Sequence, residues 1–155
     1  MKICKLHANA SVPTYAHDTD ACFDLTAATV AGMTELGRHV DPMHPVVCGT
    51  GWAFEVPQGF AMLVFSRSGQ GFKNDVRLAN CVGVIDSGYA GEVMVKLTCD
   101  DNVALDSGRQ HPYHVKPGDR VAQAMLVAVP RVTFDVVEQL GLSERGTGGF
   151  GSSGS

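Results

Sequence analysis

The chain has 155 residues, which suits one domain better than two independent cores. Its formal net charge is -4 and Lys and Arg form no run, which argues against a broad surface for nucleic acid or for an acidic membrane. No stretch of about 18 apolar residues occurs, and the N-terminus lacks the apolar core of a signal peptide. We therefore expect a soluble domain in the cytoplasm, or in the host cytoplasm if the source is viral.

The cysteines indicate a reducing compartment. They are five in number and scattered singly: Cys4, Cys22, Cys48, Cys81 and Cys99. An odd set without a C-x-x-C pair favours neither a disulfide framework nor a zinc site built on cysteines.

Short apolar runs separated by turn residues predict an all-β fold. The predicted strands are Ile3–Leu6, Trp52–Val56, Ala61–Phe65, Glu92–Leu97 and Arg120–Val129. Many short strands at this spacing are typical of a β-sandwich, a jelly roll or a barrel. One helical turn is predicted across Gln70–Asp75. We expect His39–Thr50 to be a loop or a broken edge strand, and Asp100–Val115 to be an exposed hairpin tip or an insertion.

Three segments carry polar groups that suit a nucleotide phosphate and its metal ion. Ser66–Gly69 places a cation, two hydroxyls and a glycine directly after a predicted strand, where N–H and O–H donors can reach a phosphate. Gln123 lies on an apolar strand and needs a hydrogen-bonding partner, which a ligand or water could supply. Asp24 could hold hydrated Mg²⁺, although a turn carboxylate is the commoner explanation when Asp24 is taken alone.

The segment Gly83–Glu92 predicts a hairpin with a narrow slot. Its glycines flank a turn, and Asp86 and Tyr89 are expected on the wall of the slot. Such a slot suits edge-on reading of a flat heterocycle by backbone groups. An ordinary β-turn with a structural Asp is the alternative.

The last segment, Arg145–Gly154, is rich in glycine and serine. Its glycines would let backbone N–H groups converge on an anion, and Phe150 could stack on a base. No G-K-[ST] sequence is present, so it is not a Walker P-loop. By composition it is a flexible linker, but a linker would not need Arg145 or Phe150.

Taken together, these segments resemble the five motifs of the homotrimeric dUTPases, in the family order. The matching segments are Asp20–Leu25, Arg67–Gly69, Gly83–Glu92, Gly118–Gln123 and Arg145–Gly154. The resemblance spans almost the whole chain, and the third and fifth motifs are the most specific. This chain departs from the family at Cys22, at Gln70-Gly71 and at Ala90.

The resemblance implies a jelly-roll-like β-barrel over residues 1–140 and a flexible arm over residues 141–155. It also implies a homotrimer whose active sites each combine three subunits. The implied reaction is hydrolysis of dUTP to dUMP and pyrophosphate with Mg²⁺, by water attack on the α-phosphate. The resemblance assigns Asp86 to the attacking water, Tyr89 to the deoxyribose, and Asp24 to Mg²⁺ through water. It assigns to uracil Asn80, Gly83 and Val84, and to the phosphates Arg67, Ser68, Gly69 and Gln123. Closure over the nucleotide is assigned to Arg145, Phe150, Gly151, Ser152 and Ser153.

Two other functions remain open at this point. A dCTP deaminase shares the fold and some motifs, and Glu92 could serve as its proton carrier. A regulatory nucleotide-binding module is the second, with residues 100–115 as the first place to look for a protein partner.

Overall fold

Antiparallel strands dominate the computed structural model, which describes residues 1–99, 113–141, 143 and 146–148. In chain order, the elements are β1 (Lys2–Lys5), β2 (Phe23–Thr26), β3 (Thr29–Val30), β4 (Arg38–His39), β5 (Val46–Glu55), β6 (Phe60–Phe65), α1 (Ser68–Asn74), β7 (Val76–Leu78), β8 (Val82–Asp86), β9 (Glu92–Cys99), β10 (His114–Val115) and β11 (Arg120–Ala128). The five predicted strands are all present, each within one or two residues at its ends except the second, which begins six residues earlier. The predicted helical turn is also present and begins at Ser68.

The strands form two main sheets. One has the order β1-β5-β9-β7 with β3 paired to β5, and the other has the order β2-β11-β6-β8. A short ladder joins β4 to β10. The second sheet matters most for function, because β11 lies between β2 and β6 and brings together three distant segments of the chain.

The core fills the space between the sheets. On β9 burial alternates: Val93, Val95 and Leu97 are buried while Met94 and Lys96 are exposed, as expected for a strand with one face covered. Phe54 and Leu25 are among the largest fully buried side chains. This arrangement of antiparallel strands in two sheets confirms the expected all-β, jelly-roll-like fold.

The expectation for His39–Thr50 was wrong in its second half. Val46–Thr50 opens the longest strand, β5, which pairs with β9 in the middle of its sheet. Thr50 is fully buried, and its hydroxyl donates to the carbonyl of Val93 at 2.7 Å. A polar residue is tolerated there because its hydrogen bond is made internally. The sequence pattern missed the strand because Thr50 and two glycines interrupt its apolar run.

The expected hairpin over Gly83–Glu92 was also wrong. β8 pairs with β6 in one sheet, whereas β9 pairs with β5 and β7 in the other. The two strands are consecutive in sequence but diverge into different layers. A space between them replaces the predicted hairpin slot.

Residues 113–115 do not form an exposed tip. Val115 is fully buried, and Tyr113 packs against the core and accepts the N–H of Val40 through its carbonyl at 3.0 Å. The rest of the expected hairpin or insertion, residues 100–112, lies outside the described residues. Within the described part of the chain, no helix is long and apolar enough to cross a membrane.

Candidate active site

The first cluster of candidate residues lies where β2, β11 and β6 run side by side. Gln123 on β11 stands opposite Asp24 on β2 and opposite Phe65 on β6. Ser66 and Arg67 directly follow Phe65. This register therefore brings the first, second and fourth motif segments together within one chain.

Asp24 holds two guanidinium groups at the centre of this cluster. Its Oδ1 accepts the Nε–H of Arg67 at 3.1 Å, and its Oδ2 accepts an N–H of Arg120 at 2.9 Å. The Asp24 side chain is 16% exposed, and those of Arg67 and Arg120 are 23% and 53% exposed. One negative and two positive charges leave a surplus of one positive charge, so the cluster attracts anions.

The ion pairs leave much of the donor capacity of Arg67 available. Its Nε is committed to the carboxylate and its Nη1 donates to the carbonyl of Arg120 at 3.5 Å, but a guanidinium carries five N–H donors. The fork of N–H groups that remains is the geometry that binds a phosphate. Asp24 thus fixes the arginine without using up its phosphate-binding atoms.

Helix α1 begins directly after Arg67 and includes Ser68 and Gly69. Arg67 has extended dihedral angles, and no side chain caps the helix. The first N–H groups of a helix have no acceptor within it. A Cβ on Gly69 would meet nothing within 4 Å, so internal packing does not require glycine there. The open space beside Gly69 leaves room for a ligand.

Gln123 does find the partner that its position demands. Its Nε2 donates to the carbonyl of Ser66 at 3.2 Å, which ties β11 to the turn after β6. Burial does not follow the two-residue alternation of a regular strand here, since Val121 and Ala122 are both fully buried. A register shift between Arg120 and Ala122 in the pairing with β2 accounts for the break.

A second group of candidates lines a cavity of about 340 Å³ between β8 and the sheet of β7 and β9. Asn80, Gly83 and Val84 lie on its wall, together with Leu78 and Met94. A Cβ on Gly83 would stand 3.3 Å from the Cβ of Val64, which is tighter than ordinary packing. Gly83 therefore keeps the backbone accessible at a crowded point.

The turn that leads into β8 has an unusual backbone. Cys81 adopts a φ of 63°, and the N–H of Val82 donates to the carbonyl of Asn80 at 2.7 Å across it. A non-glycine residue in the left-handed region is uncommon and costs on the order of 1 kcal/mol. The hydrogen bond offsets this cost and holds the backbone of Asn80–Val82 in one tight turn at the wall of the cavity.

Asp86 and Tyr89 do not line this cavity, contrary to expectation. Asp86 ends β8 and is exposed. The hydroxyl of Tyr89 donates to the carbonyl of Glu92 at 2.8 Å, and its ring lies over Gly91, where a Cβ would meet the hydroxyl oxygen at 2.6 Å. Tyr89 lines a separate cavity of about 480 Å³ beside β1.

Glu92 has a structural partner. Its Oε1 accepts the N–H of Gly51 at 2.7 Å, at the irregularity of β5 where Gly51 has a φ of 73°. This carboxylate holds two neighbouring strands together. The Glu92 carboxylate is therefore used as a hydrogen-bond acceptor for the backbone and is not presented to a nucleobase.

The remaining predicted residues lie outside the described part of the chain: Arg145, Phe150, Gly151, Ser152 and Ser153. Sequence reasoning gave no role to Arg120, although it lies in the fourth motif segment. Its pairing with Asp24 links positions 96 residues apart. Without the sheet order, no local pattern places these two residues together.

Comparison with known proteins identifies the family of this chain. The sequence model of the dUTPase family matches residues 8–154. The chain belongs to the dUTPase family.

Individual dUTPases are similar over nearly the full chain. The deoxyuridine 5'-triphosphate nucleotidohydrolase of Helicobacter hepaticus is 39% identical over 99% of this chain and 88% of its own. That of Leifsonia xyli subsp. xyli is 38% identical over 92% of this chain and 85% of its own. The dUTPase of Staphylococcus bacteriophage 80alpha, solved with dUPNHPP, has a TM-score of 0.80 at 28% identity, covering 99% of this chain and 98% of its own.

Proposed function

We propose that this dUTPase-family chain hydrolyses dUTP to dUMP and pyrophosphate by attack of water on the α-phosphate. The observation that carries the proposal is the cluster of Arg67 and Arg120 on Asp24, with Gln123 alongside. It offers a positive surplus at an open surface, as a triphosphate requires. The names of the relatives supply the nucleotide, since those proteins act on deoxyuridine 5'-triphosphate.

The cavity beside β8 is proposed to receive uracil. Its wall includes Asn80, Gly83 and Val84, whose backbone N–H and C=O groups are proposed to meet the edge of a flat base. Backbone groups held by a fixed turn can distinguish one base from another by hydrogen bonding. A base that carries an amino group in place of a carbonyl would place its N–H donors against a backbone N–H donor. Rejection of cytosine follows from this arrangement.

An active site shared between subunits follows from the register of β6 and β8. Asp86 stands opposite Ala61, and Val82 stands opposite Phe65, next to the turn that carries Arg67. The two pairs are four residue steps apart along the strand, which is about 13 Å. Arg67 lies further along in the same direction, away from Asp86. A water held by Asp86 and a phosphate held by Arg67 can meet only if different subunits supply them, which supports the proposed homotrimer.

The segment 129–141 gives a second argument for subunit contact. Its described residues form no helix or strand, and its apolar side chains are exposed: Val132, Phe134, Val136, Val137 and Leu140. An exposed apolar row of this kind is typical of a protein–protein contact. Because the segment carries no structure of its own, we propose that it lies along a neighbouring subunit.

Replacing both Phe134 and Val136 by Asp is expected to weaken the trimer. Each side chain would lose about 1.5–3 kcal/mol of apolar burial at an interface. The dissociation of the trimer should therefore shift to at least 100-fold higher protein concentration, as measured by sedimentation equilibrium. The control makes the same replacement by Asp at Val12 and Leu36, which are also exposed. An unchanged association constant for the Phe134 and Val136 variant would contradict the proposed contact.

In the proposed mechanism, Asp86 accepts a proton from the attacking water as the P–O bond to water forms. The bond between the α-phosphorus and the bridging oxygen breaks, and pyrophosphate leaves with the electron pair. Arg67 and Arg120 stabilise the charge that develops on the phosphates, since preorganised donors need no rearrangement at the moment of reaction. Positioning of water and phosphate supplies the rest of the acceleration.

Asp24 suits a magnesium ion only through water. Each of its oxygens already accepts one guanidinium N–H, yet a carboxylate oxygen has a second lone pair free for a metal-bound water. No group of three or more His, Cys, Asp or Glu among the described residues could hold a metal directly. The triphosphate would therefore supply the inner ligands, and bound Mg²⁺ would neutralise charge on the leaving pyrophosphate. A solved relative, the dUTPase of phage phi11, is described with a structural Mg(II) ion.

Asp24→Asn is expected to raise the Mg²⁺ concentration needed for half-maximal activity about 10-fold or more, since loss of an outer-shell partner costs about that much. Activity is measured across a Mg²⁺ titration at saturating dUTP. Asp20→Asn, four residues earlier and exposed, is the matched control and should leave the requirement unchanged. An unchanged Mg²⁺ requirement in Asp24→Asn would remove Asp24 from the metal site.

The decisive experiment compares pyrophosphate release from dUTP, dCTP, dTTP and UTP with Mg²⁺. Selective release from dUTP supports the proposed function, and equal rates would contradict the proposed base and sugar recognition. Ammonia release from dCTP would instead identify a deaminase. The commitment of Glu92 to Gly51 and the names of the relatives favour the first result.

A further inference from the structure

The phosphate cluster has a buried amide behind it. Gln70, on the first turn of α1, is 7% exposed and is one of the few buried polar residues in the described part of the chain. Its Nε2 donates to the carbonyl of Arg120 at 2.8 Å and to the hydroxyl oxygen of Tyr113 at 2.6 Å. Both amide hydrogens are therefore used.

This amide joins three separate segments of the chain. Gln70 belongs to α1, Arg120 begins β11, and Tyr113 precedes the short strand β10. The carbonyl of Arg120 is an acceptor only, so the amide nitrogen and not the amide oxygen must face it. The orientation of the Gln70 side chain is thus fixed by its partners.

The side chain of Arg120 and its carbonyl belong to the same residue. Holding the carbonyl in place limits where the guanidinium can go, and that guanidinium is bound to Asp24 beside Arg67. The wall of the adjoining cavity, about 650 Å³ in volume, contains Gln70, Tyr113 and both arginines. Lys73 and Lys116 add two positive charges to the same wall, and Asp119 adds one negative charge.

Tyr113 is well suited to hold this amide. Burial, followed by the nearby carboxylate of Asp119, raises the pKa of Tyr113 to about 12. The hydroxyl therefore stays neutral at physiological pH. The backbone carbonyl of Tyr113 accepts the N–H of Val40, which helps to fix the position of the residue.

We propose that Gln70 is a positioning residue for the phosphate site, which sets Arg120 through its carbonyl, and that Tyr113 acts only through Gln70. The proposal deepens the proposed function and rests on it, because it takes Arg67 and Arg120 to contact the nucleotide phosphates. Gln70 is one of the positions at which this chain departs from the motif that it resembles.

The test compares a triphosphate with a monophosphate. Gln70→Met keeps an unbranched side chain of similar length but removes both N–H donors. Binding of a nonhydrolysable dUTP analogue is expected to weaken about tenfold, which corresponds to about 1.4 kcal/mol. Because dUMP lacks the outer phosphates, it depends less on the position of the arginines. Its binding is expected to change less than about twofold. Isothermal titration measures both.

Tyr113→Phe tests the second half of the proposal. Alone, it is expected to weaken the triphosphate analogue about threefold by loosening the Gln70 amide. In the Gln70→Met background, Tyr113→Phe should have no further effect on binding, because the Gln70 amide through which Tyr113 is proposed to act has been removed. Gln58→Met, in the exposed turn at the far end of β6, is the matched control and should bind both nucleotides normally.

Equal weakening of dUMP and of the analogue would overturn the positioning role, as would unchanged binding of both. Additive effects in the double variant would remove Tyr113 from the pathway. If Gln70→Met does not fold, the ratio of the two affinities in Tyr113→Phe decides the proposal by itself. A wild-type chain that does not bind the dUTP analogue would instead refute the proposed function.

Discussion

Asp86→Asn is expected to abolish most turnover while leaving nucleotide binding nearly intact. The exposed carboxylate at the end of β8 is proposed to take the proton from the attacking water, and an amide cannot do so. General-base catalysis contributes about 10²–10⁴-fold. The value of kcat should therefore fall by that factor, as measured by pyrophosphate release, while the Kd for a nonhydrolysable dUTP analogue stays within about threefold.

Asp18→Asn provides the matched control, since Asp18 is an exposed carboxylate outside both residue clusters. It should hydrolyse dUTP at the wild-type rate. Near-normal turnover in Asp86→Asn would remove Asp86 from catalysis. Loss of binding together with turnover would instead assign it to substrate recognition.

Truncation after Ser143 is expected to disable hydrolysis but to preserve the folded trimer. The truncation removes Arg145 and Phe150, which are proposed to clamp the terminal phosphate and to cover the base. In phosphoryl transfer an arginine that stabilises charge in the transition state is worth on the order of 10³-fold or more in rate, and here the charge develops on the leaving pyrophosphate. The rate should fall by that order in a pyrophosphate assay, with the sedimentation coefficient of the trimer and its unfolding midpoint unchanged.

Truncation after Ser153 is the matched control and removes only the last two residues. It should retain most activity, because the proposed contacts all precede it. If the longer truncation hydrolyses dUTP normally, the segment 141–155 is a linker with no part in the site. Dissociation of the trimer would assign it a role in assembly instead.

The polar residues of the site could be chosen from the sequence because their types are unusual where they occur. Arg67 stands at the end of an apolar strand, and Gln123 lies within one. Both are placed beside Asp24 in the structure. Arg120 could not be assigned, because its contact with Asp24 depends on a register shift that no local pattern encodes.

The limits of the fold prediction have similar causes. Glycines and turn residues marked the strand ends well, since they impose local backbone geometry. These local signals did not indicate which strands pair with each other. β8 and β9 were expected to form a hairpin because they are adjacent in sequence, but each pairs with strands of a different sheet. The link from Gln70 to Tyr113 was equally invisible, because it joins residues 43 positions apart.

The place of β11 between β2 and β6 bears on how the protein is made. The strand closest to the C-terminus in this sheet is also an inner one, and its partner β2 lies near the N-terminus. During synthesis, β2 and β6 leave the ribosome without the strand that must separate them. At about 5–20 residues per second, several seconds pass before residues 120–128 follow β2. The apolar faces of the early strands stay uncovered for that time. We expect the nascent chain to need protection from aggregation, and the phosphate cluster to form only after residues 120–128 have left the ribosome.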